Sequence, residues 1–188
     1  QPSVEPTPFL LSVGRLVKRK GFAEAITSFA KLAAKHQEWK YYIVGGGPER
    51  AALEQLIVQH QLEHRVQLLG QLSDGATARL YAKSSFFVLP AQQLANGDFE
   101  GYGTVIVEAN SFAKPAIATR SGGVADPVQD GITGILVPPN DEVALTQAMT
   151  TLCEQPELVQ RLGSSAQAWA SQQSWSKNFE QLLALLER

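Results

Sequence analysis

The sequence predicts an α/β domain: a doubly wound, parallel, six-stranded sheet with helices on both faces and a helical C-terminal tail. Three observations predict it. Six apolar runs of four to five residues alternate with stretches whose apolar positions recur at helical spacing. Five of the six runs stop at glycine or proline, as buried parallel strands do where the chain turns toward a helix. The 188 residues are 44% hydrophobic with a net charge of −2, enough apolar material for one ordinary core.

The elements follow in order. Phe9–Val13 is the first strand, closed by Gly14, and Gly21 to about His36 is an amphipathic helix carrying Phe22, Ala25, Ile26, Phe29 and Leu32 on one face. Tyr41–Val44 is the second strand, stopped by Gly45-Gly46-Gly47-Pro48, and Ala51 to Gln61 is the next helix. Val66–Leu69 is the third strand, ended by Gly70; Ser73 then caps a helix with Leu80 and Tyr81 on its buried side. Phe86–Leu89 and Pro90 form the fourth strand and its stop, followed by an irregular stretch and a helix from about Thr104 to Phe112. Pro115–Ala118 and Gly134–Val137 are strands five and six. Helices over Asp141–Cys153, Pro156 to about Gln172 and Ser176–Leu186 make the tail. Strand–helix–strand units with right-handed crossovers place helices on both faces of a Rossmann-like sheet.

Composition removes several classes of function. Sixteen Lys and Arg against 18 Asp and Glu leave no basic excess, which argues against a nucleic-acid partner. One cysteine, Cys153, excludes an internal disulfide framework and a multi-cysteine metal site. His36, His60 and His64 stand without mutual metal spacing, and no apolar run approaches the ~20 residues of a membrane crossing. The lone methionine is Met149, and three prolines fall in the first eight residues. That start reads as an extended linker rather than a domain start: either something lies upstream, or signal cleavage or trimming removed the initiator Met.

Four turns carry the candidate chemistry, because ligands of such sheets sit beyond the carboxyl ends of the strands. Gly14–Gly21 after strand one holds Arg15, Lys18, Arg19 and Lys20 just before a helix start, an arrangement suited to an anion such as a diphosphate. Gly45-Gly46-Gly47-Pro48 is a close-approach turn; Arg50 stands where a dinucleotide fingerprint needs glycine, and no Walker lysine follows. Glu100 and Glu108 lie eight positions apart with Gly101 and Gly103 between them, so one carboxylate sits in a loop and the other in the following helix. Both are then able to face one ligand at the donor-rich helix end of Gly103 and Thr104, where carboxylates accept hydrogen bonds from sugar or ribose hydroxyls. Glu108 is flanked by Val105, Ile106, Val107 and Ala109, a setting that calls for a partner to the charge. The turn Gly122-Gly123 before Asp126 brings backbone N–H groups toward an anion.

At these residues the chain resembles the C-terminal donor-binding domain of family 4 retaining glycosyltransferases (glycosyl transferases group 1) of the GT-B fold. The likeness rests on Gly14-Arg15-Leu16 through Lys20-Gly21, on Gly45–Pro48, on Val66 to Gly70, on Glu100 to Glu108, and on Gly122-Gly123 to Asp126, all in family order. The resemblance implies that Arg15 and Lys20 bind the diphosphate of a UDP- or GDP-sugar and that Glu100 positions the donor hexose. It implies that Glu108 takes the ribose, that Gly101, Tyr102, Gly103 and Thr104 lie along the donor, that Gly70, Gln71 and Leu72 face the base, and that Gly14 and Gly46 pass close to the nucleotide. It implies no metal and no other cofactor. The partners it implies are the nucleotide sugar, an N-terminal acceptor domain outside this chain, and an acceptor that is a glycan, a lipid or a small molecule, as in polysaccharide or glycolipid biosynthesis. By the same resemblance, residues 1–8 are an interdomain linker remnant, residues 9–174 the nucleotide-sugar-binding domain and 175–188 a crossover helix turning at Trp175-Ser176. The location is cytoplasmic, with any membrane contact made by the missing half, and this half alone is inactive. Asp126 departs from the family's usual Glu by one methylene, and loop 91–99 is long, which points to donor choice or room for an acceptor. Two other readings stand beside it: a non-hydrolysing sugar-nucleotide epimerase and a non-catalytic nucleotide-sugar-binding subunit.

Overall fold

The computed structural model describes residues 7–173. Six parallel strands, β1 (Phe9–Val13), β2 (Lys40–Val44), β3 (Val66–Gly70), β4 (Phe86–Leu89), β5 (Ala116–Thr119) and β6 (Gly134–Val137), form one sheet in the order β3-β2-β1-β4-β5-β6. The helices are α1 (Phe22–Ala33), α2 (Arg50–Gln59), α3 (Asp74–Lys83), α4 (Thr104–Ser111), α5 (Glu142–Glu154) and α6 (Pro156–Ala170). This is the doubly wound arrangement expected, and its strand order reverses between β1 and β4. The expected tail helix over 176–186, the turn at Trp175-Ser176 and the greater part of linker 1–8 lie outside the described residues.

The short strands earn their places by burial. Leu10, Leu11, Phe86, Phe87, Val88, Leu89, Ala116, Ile117 and Ala118 are all fully buried, as central parallel strands covered on both faces must be. Each large apolar side chain removed from water contributes about 2 kcal/mol before entropy is charged against it. Phe22, Ile26, Phe29 and Leu32 form the inner face of α1, which packs on α2 and α5, while α4 packs on α6. Tyr41 is buried among them; its hydroxyl lies 2.7 Å from Ser12 Oγ, which donates to the Val88 carbonyl.

The boundaries shift for local reasons. The fifth strand begins at Ala116 rather than Pro115, which has no N–H to give; the Pro115 carbonyl accepts from Phe87 N at 3.0 Å. Helix α1 starts after Gly21, whose φ of 70° sets the chain's entry, and ends at Ala33. Helix α2 begins one residue earlier and ends two earlier than the periodicity suggests, and α4 and α6 also stop short of Phe112 and Gln172. Ser73 Oγ accepts from Ala76 N at the start of α3, the expected cap, and Asp141, expected as the first helical residue, instead caps α5, its Oδ1 accepting from Ala144 N. Two single turns of 3₁₀ helix, Lys18–Lys20 and Gly122–Ala125, fall within segments that the sequence presents as plain loops.

Candidate functional site

The turns after β1, β2 and β3 are bound to one another by backbone hydrogen bonds. Gly14 N donates to Val44 O (2.9 Å), Leu16 N to Gly46 O (2.9 Å) and Gly45 N to Gly70 O (2.8 Å). A Cβ on Gly45 would lie 1.9 Å from the Gly14 carbonyl oxygen, so the glycine run is required by the approach of two backbones. Beside these turns opens a cleft of about 550 Å³. Gly14, Gly45, Gln71 and Leu72 line one side; Tyr81, from α3, and Glu108, from α4, line another. Gly46 meets the cleft edge through Gln71, whose side chain comes within 3.5 Å of the position a Cβ on Gly46 would take.

Glu108 is exposed to this cleft, but one of its oxygens is tied down. The Tyr81 hydroxyl donates to Glu108 Oε2 at 2.9 Å, with the Val105 carbonyl oxygen 3.3 Å away. Tyr81 is 2% exposed, stacked on Phe112 at 5.7 Å and tilted against Phe87. Burial pushes its phenol well above the ordinary value, and the neighbouring Glu108 charge and hydrogen bond push it further, so it remains a donor. The apolar neighbours do not bury Glu108 as its sequence setting suggests: its charge faces the open cleft, and its protein partner is a neutral hydroxyl from another helix.

Glu100 is held differently, at the point where the strand order reverses. Lys20, in the turn after β1, places Nζ 2.9 Å from Glu100 Oε2, and Arg19 Nε lies 3.4 Å from the same oxygen. These side chains are 9% (Lys20), 25% (Arg19) and 15% (Glu100) exposed, so the pairing is largely withdrawn from water. Arg19 Nη1 also reaches Asp98 at 3.3 Å. The Lys20 head lies over Gly14: a Cβ there would meet Lys20 Cε at 3.3 Å. Gly14 thus joins the charged knot to the cleft. Among the described residues Arg15, next to Gly14, makes no ion pair and is exposed.

Between the two carboxylates, α4 starts at Gly103, whose φ is 70° and which offers no side-chain cap. Ile106 N bonds back to Gly103 O, leaving the N–H groups of Thr104 and Val105 at the open helix end. Gly101, Tyr102 and Thr104 are exposed around it, with Tyr102 at 41%. Glu100 and Glu108 accordingly flank one helix terminus, although only Glu108 lines the cleft itself.

The Gly122-Gly123 turn corrects an expectation. Its glycines do not leave room for an anion: a Cβ on Gly123 would sit 1.9 Å from the Gly101 carbonyl oxygen, and one on Gly122 would sit 2.7 Å from that of Glu100. The space is already filled by the backbone of the Glu100 loop, so the turn is its seat. Asp126 is exposed beyond it, with Oδ2 3.3 Å from the position of a Gly123 Cβ.

Three functional contacts escape a reading of the sequence. Tyr81 is legible only as a buried helix residue, Arg19 only as one cation of four, and Asp98 only as part of a long polar loop. No spacing rule joins positions 19 and 100. Elsewhere Trp39 packs on Phe86 at 5.6 Å, His36 reaches Glu154, and burial raises the Cys153 thiol above its ordinary range. Among the described residues no three His, Cys, Asp or Glu side chains gather in a way that would hold a metal ion, and no helix is long and apolar enough to cross a membrane.

The family model for glycosyl transferases group 1 matches residues 1–169. The chain belongs to this family. It is 31% identical over 163 residues to alpha-D-kanosaminyltransferase of Streptomyces kanamyceticus, covering 87% of this chain and 41% of that protein. It is 32% identical over 165 residues to the GDP-mannose-dependent alpha-(1-6)-phosphatidylinositol monomannoside mannosyltransferase of Mycolicibacterium smegmatis, covering 87% and 43%. Among solved structures, Anabaena Alr3699/HepE in complex with UDP superposes with a TM-score of 0.82 at 27% identity, over 97% of this chain and 50% of that one. The chain spans about half the length, or less, of these relatives.

Proposed function

We propose that this family member is the nucleotide-sugar-binding half of a glycosyltransferase that moves a hexose from a UDP- or GDP-sugar to an acceptor with retention of configuration. The observation that carries the reading is the pair of carboxylates flanking the open N-terminus of α4, one on the cleft and one against Lys20. HepE, solved with UDP and with UDP-glucose, shares the fold over nearly the whole chain and supports the same class of ligand.

In this reading the base lies along Gly70, Gln71 and Leu72, and Glu108 accepts hydrogen bonds from the ribose hydroxyls. Gly46 passes close to the nucleoside, and the diphosphate runs past Gly14 to lie along the backbone at Tyr102, Gly103 and Thr104. Arg15 and Lys20 close on it, neutralising the charge that grows on the leaving group as the glycosidic bond breaks. Glu100 takes the hexose hydroxyls through the oxygen its cations leave free, with Gly101 next to it along the donor. Its role is to orient the sugar, since proximity and orientation account for much of a transfer rate. No metal or other cofactor enters this scheme. The acceptor surface belongs to the part of the full-length enzyme that this chain does not cover. The fragment binds donor without completing transfer, and the full-length enzyme works in the cytoplasm.

The test is a thermal-shift titration with UDP, GDP and their hexose adducts. One nucleotide is expected to raise the melting temperature, by an amount set by the ratio of its concentration to Kd. Lys20→Ala and Glu108→Ala are each expected to remove most of that shift. No shift with any of the nucleotides overturns the reading.

A further inference from the structure

We propose that Arg19 is the positioning residue of Glu100: it clamps the 92–100 loop at three points and keeps the carboxylate aimed once Lys20 engages a ligand. The inference rests on the donor-binding reading above and adds to it a residue outside its ligand set. The Arg19 backbone carbonyl accepts from Gln92 N at 2.7 Å, at the start of the loop. Its guanidinium reaches Asp98 Oδ2 at 3.3 Å and Glu100 Oε2 at 3.4 Å, at the end of the loop. Between these points the loop folds on itself, with Leu94 N donating to Asp98 O and Gly97 N to Leu94 O. One residue of the β1 turn thereby spans both ends of the segment that delivers Glu100.

The need for a second cation follows from the geometry. Lys20 and Arg19 share a single oxygen of Glu100, and among the described residues Oε1 has no hydrogen-bond or ion-pair partner. An ammonium that turns toward a diphosphate weakens its hold on Oε2, because a point charge divided between two anions serves each less well. The planar guanidinium, already braced by Asp98 and by its own backbone bond, has no such conflict. Arg19 then keeps Oε2 anchored and leaves Oε1 pointing outward to accept a sugar hydroxyl. The Asp98 arm is 45% exposed and serves chiefly to fix the angle of the fork.

The experiment compares free and sugar-bearing nucleotide on the same chain. UDP and UDP-glucose, with GDP and GDP-mannose in parallel, are titrated calorimetrically into the parent, Arg19→Gln, Glu100→Gln and the double variant. Arg19→Gln is expected to leave the nucleoside diphosphate affinity within about twofold and to weaken the sugar-bearing form about tenfold. Glu100→Gln is expected to do the same, and the double variant no more than either, since residues acting through one contact are not additive. Equal weakening of both ligands would make Arg19 a phosphate ligand and overturn the proposal. So would an unchanged ratio, or additive losses. Hydrogen exchange on the ligand-free chain reads the clamp directly: amides of 91–100 are expected to exchange several-fold faster in Arg19→Gln, relative to the β1–β3 turns. Unchanged exchange there also overturns it. If no nucleotide binds the parent chain, the donor-binding reading fails, and the exchange measurement still decides the clamp.

Discussion

Glu100 and Glu108 stand eight positions apart and are held by opposite means. Glu108 leans on a neutral, buried tyrosine hydroxyl; Glu100 leans on two cations from a turn some 80 residues away in sequence. In both, one oxygen is tied to the protein, and among the described residues the other has no partner. The difference lies in what surrounds them. Helix α4 fixes the backbone of Glu108, so a single hydrogen bond suffices to choose its rotamer. Glu100 sits in a loop with no ladder of its own, and it needs charges from above and the Gly122-Gly123 seat from below. A carboxylate on a regular element is cheap to aim; one on a loop requires several supports.

The largest expected effect breaks the Glu100 side alone. Gly123→Ala puts a methyl 1.9 Å from the Gly101 carbonyl oxygen, a backbone atom that yields only if the loop moves. A loss of about 3 kcal/mol is expected, at the upper end of overpacking costs, seen as a lowered denaturant midpoint with an unchanged slope. In the same variant the Tyr81–Glu108 contact should survive, so the loss of stability at high pH that comes from buried Tyr81 should be retained. Its disappearance would mean that the two carboxylates are one cooperative unit.

High pH attacks the Glu108 side. Tyr81 and Tyr41 both have phenol pKa values raised by burial, against about 10 in an unfolded chain. Below pH 10 both states keep the proton and stability is unaffected. Above it the unfolded chain ionises first and binds fewer protons, so stability falls as pH rises toward the folded values. Each tyrosine contributes a slope of about 1.4 kcal/mol per pH unit. Urea melts between pH 9 and 11 should show the fall, and Tyr81→Phe should remove about half of the tyrosine part.

At neutral pH Tyr81→Phe is gentler. The ring and its stacking on Phe112 stay, and water can replace the hydroxyl at an exposed carboxylate, so a stability loss of about 1 kcal/mol or less is expected. In the donor-binding reading the cost falls on aim: nucleoside diphosphate affinity should drop about fivefold by calorimetry, with the ratio of sugar-bearing to free nucleotide unchanged. A changed ratio would show that Glu108 and Glu100 are coupled through α4.

Most of the fold was legible in the sequence because its signals are local. Phe9–Val13 or Phe86–Leu89 needs only neighbours to read as a buried strand, and Ser73 declares its helix within four residues. Right-handed crossovers then leave few strand orders to choose among. The residues of the site were legible as motifs, but their supports were not. Which of four cations meets Glu100, and which α3 side chain meets Glu108, depends on how separate segments dock. The Gly122-Gly123 pair shows the same limit: two glycines declare a close approach without saying what approaches.

Gly101→Ala supplies the smallest effect and the sharpest control on that last point. Gly101 and Gly123 face each other across one contact, yet they differ in what a side chain would meet. A Cβ on Gly123 strikes the Gly101 carbonyl, whereas a Cβ on Gly101 finds nothing within 4 Å, and the Gly101 φ lies outside the left-handed region that favours glycine. Alanine there therefore costs no strain and restricts only the unfolded chain, so a gain of about 0.5 kcal/mol is expected in the ligand-free protein. The opposite signs at the two positions would show that the seat under Glu100 is made by the Gly122-Gly123 turn rather than by flexibility of the loop. A Gly101→Ala loss approaching that of Gly123→Ala would instead place the constraint in the loop's own backbone.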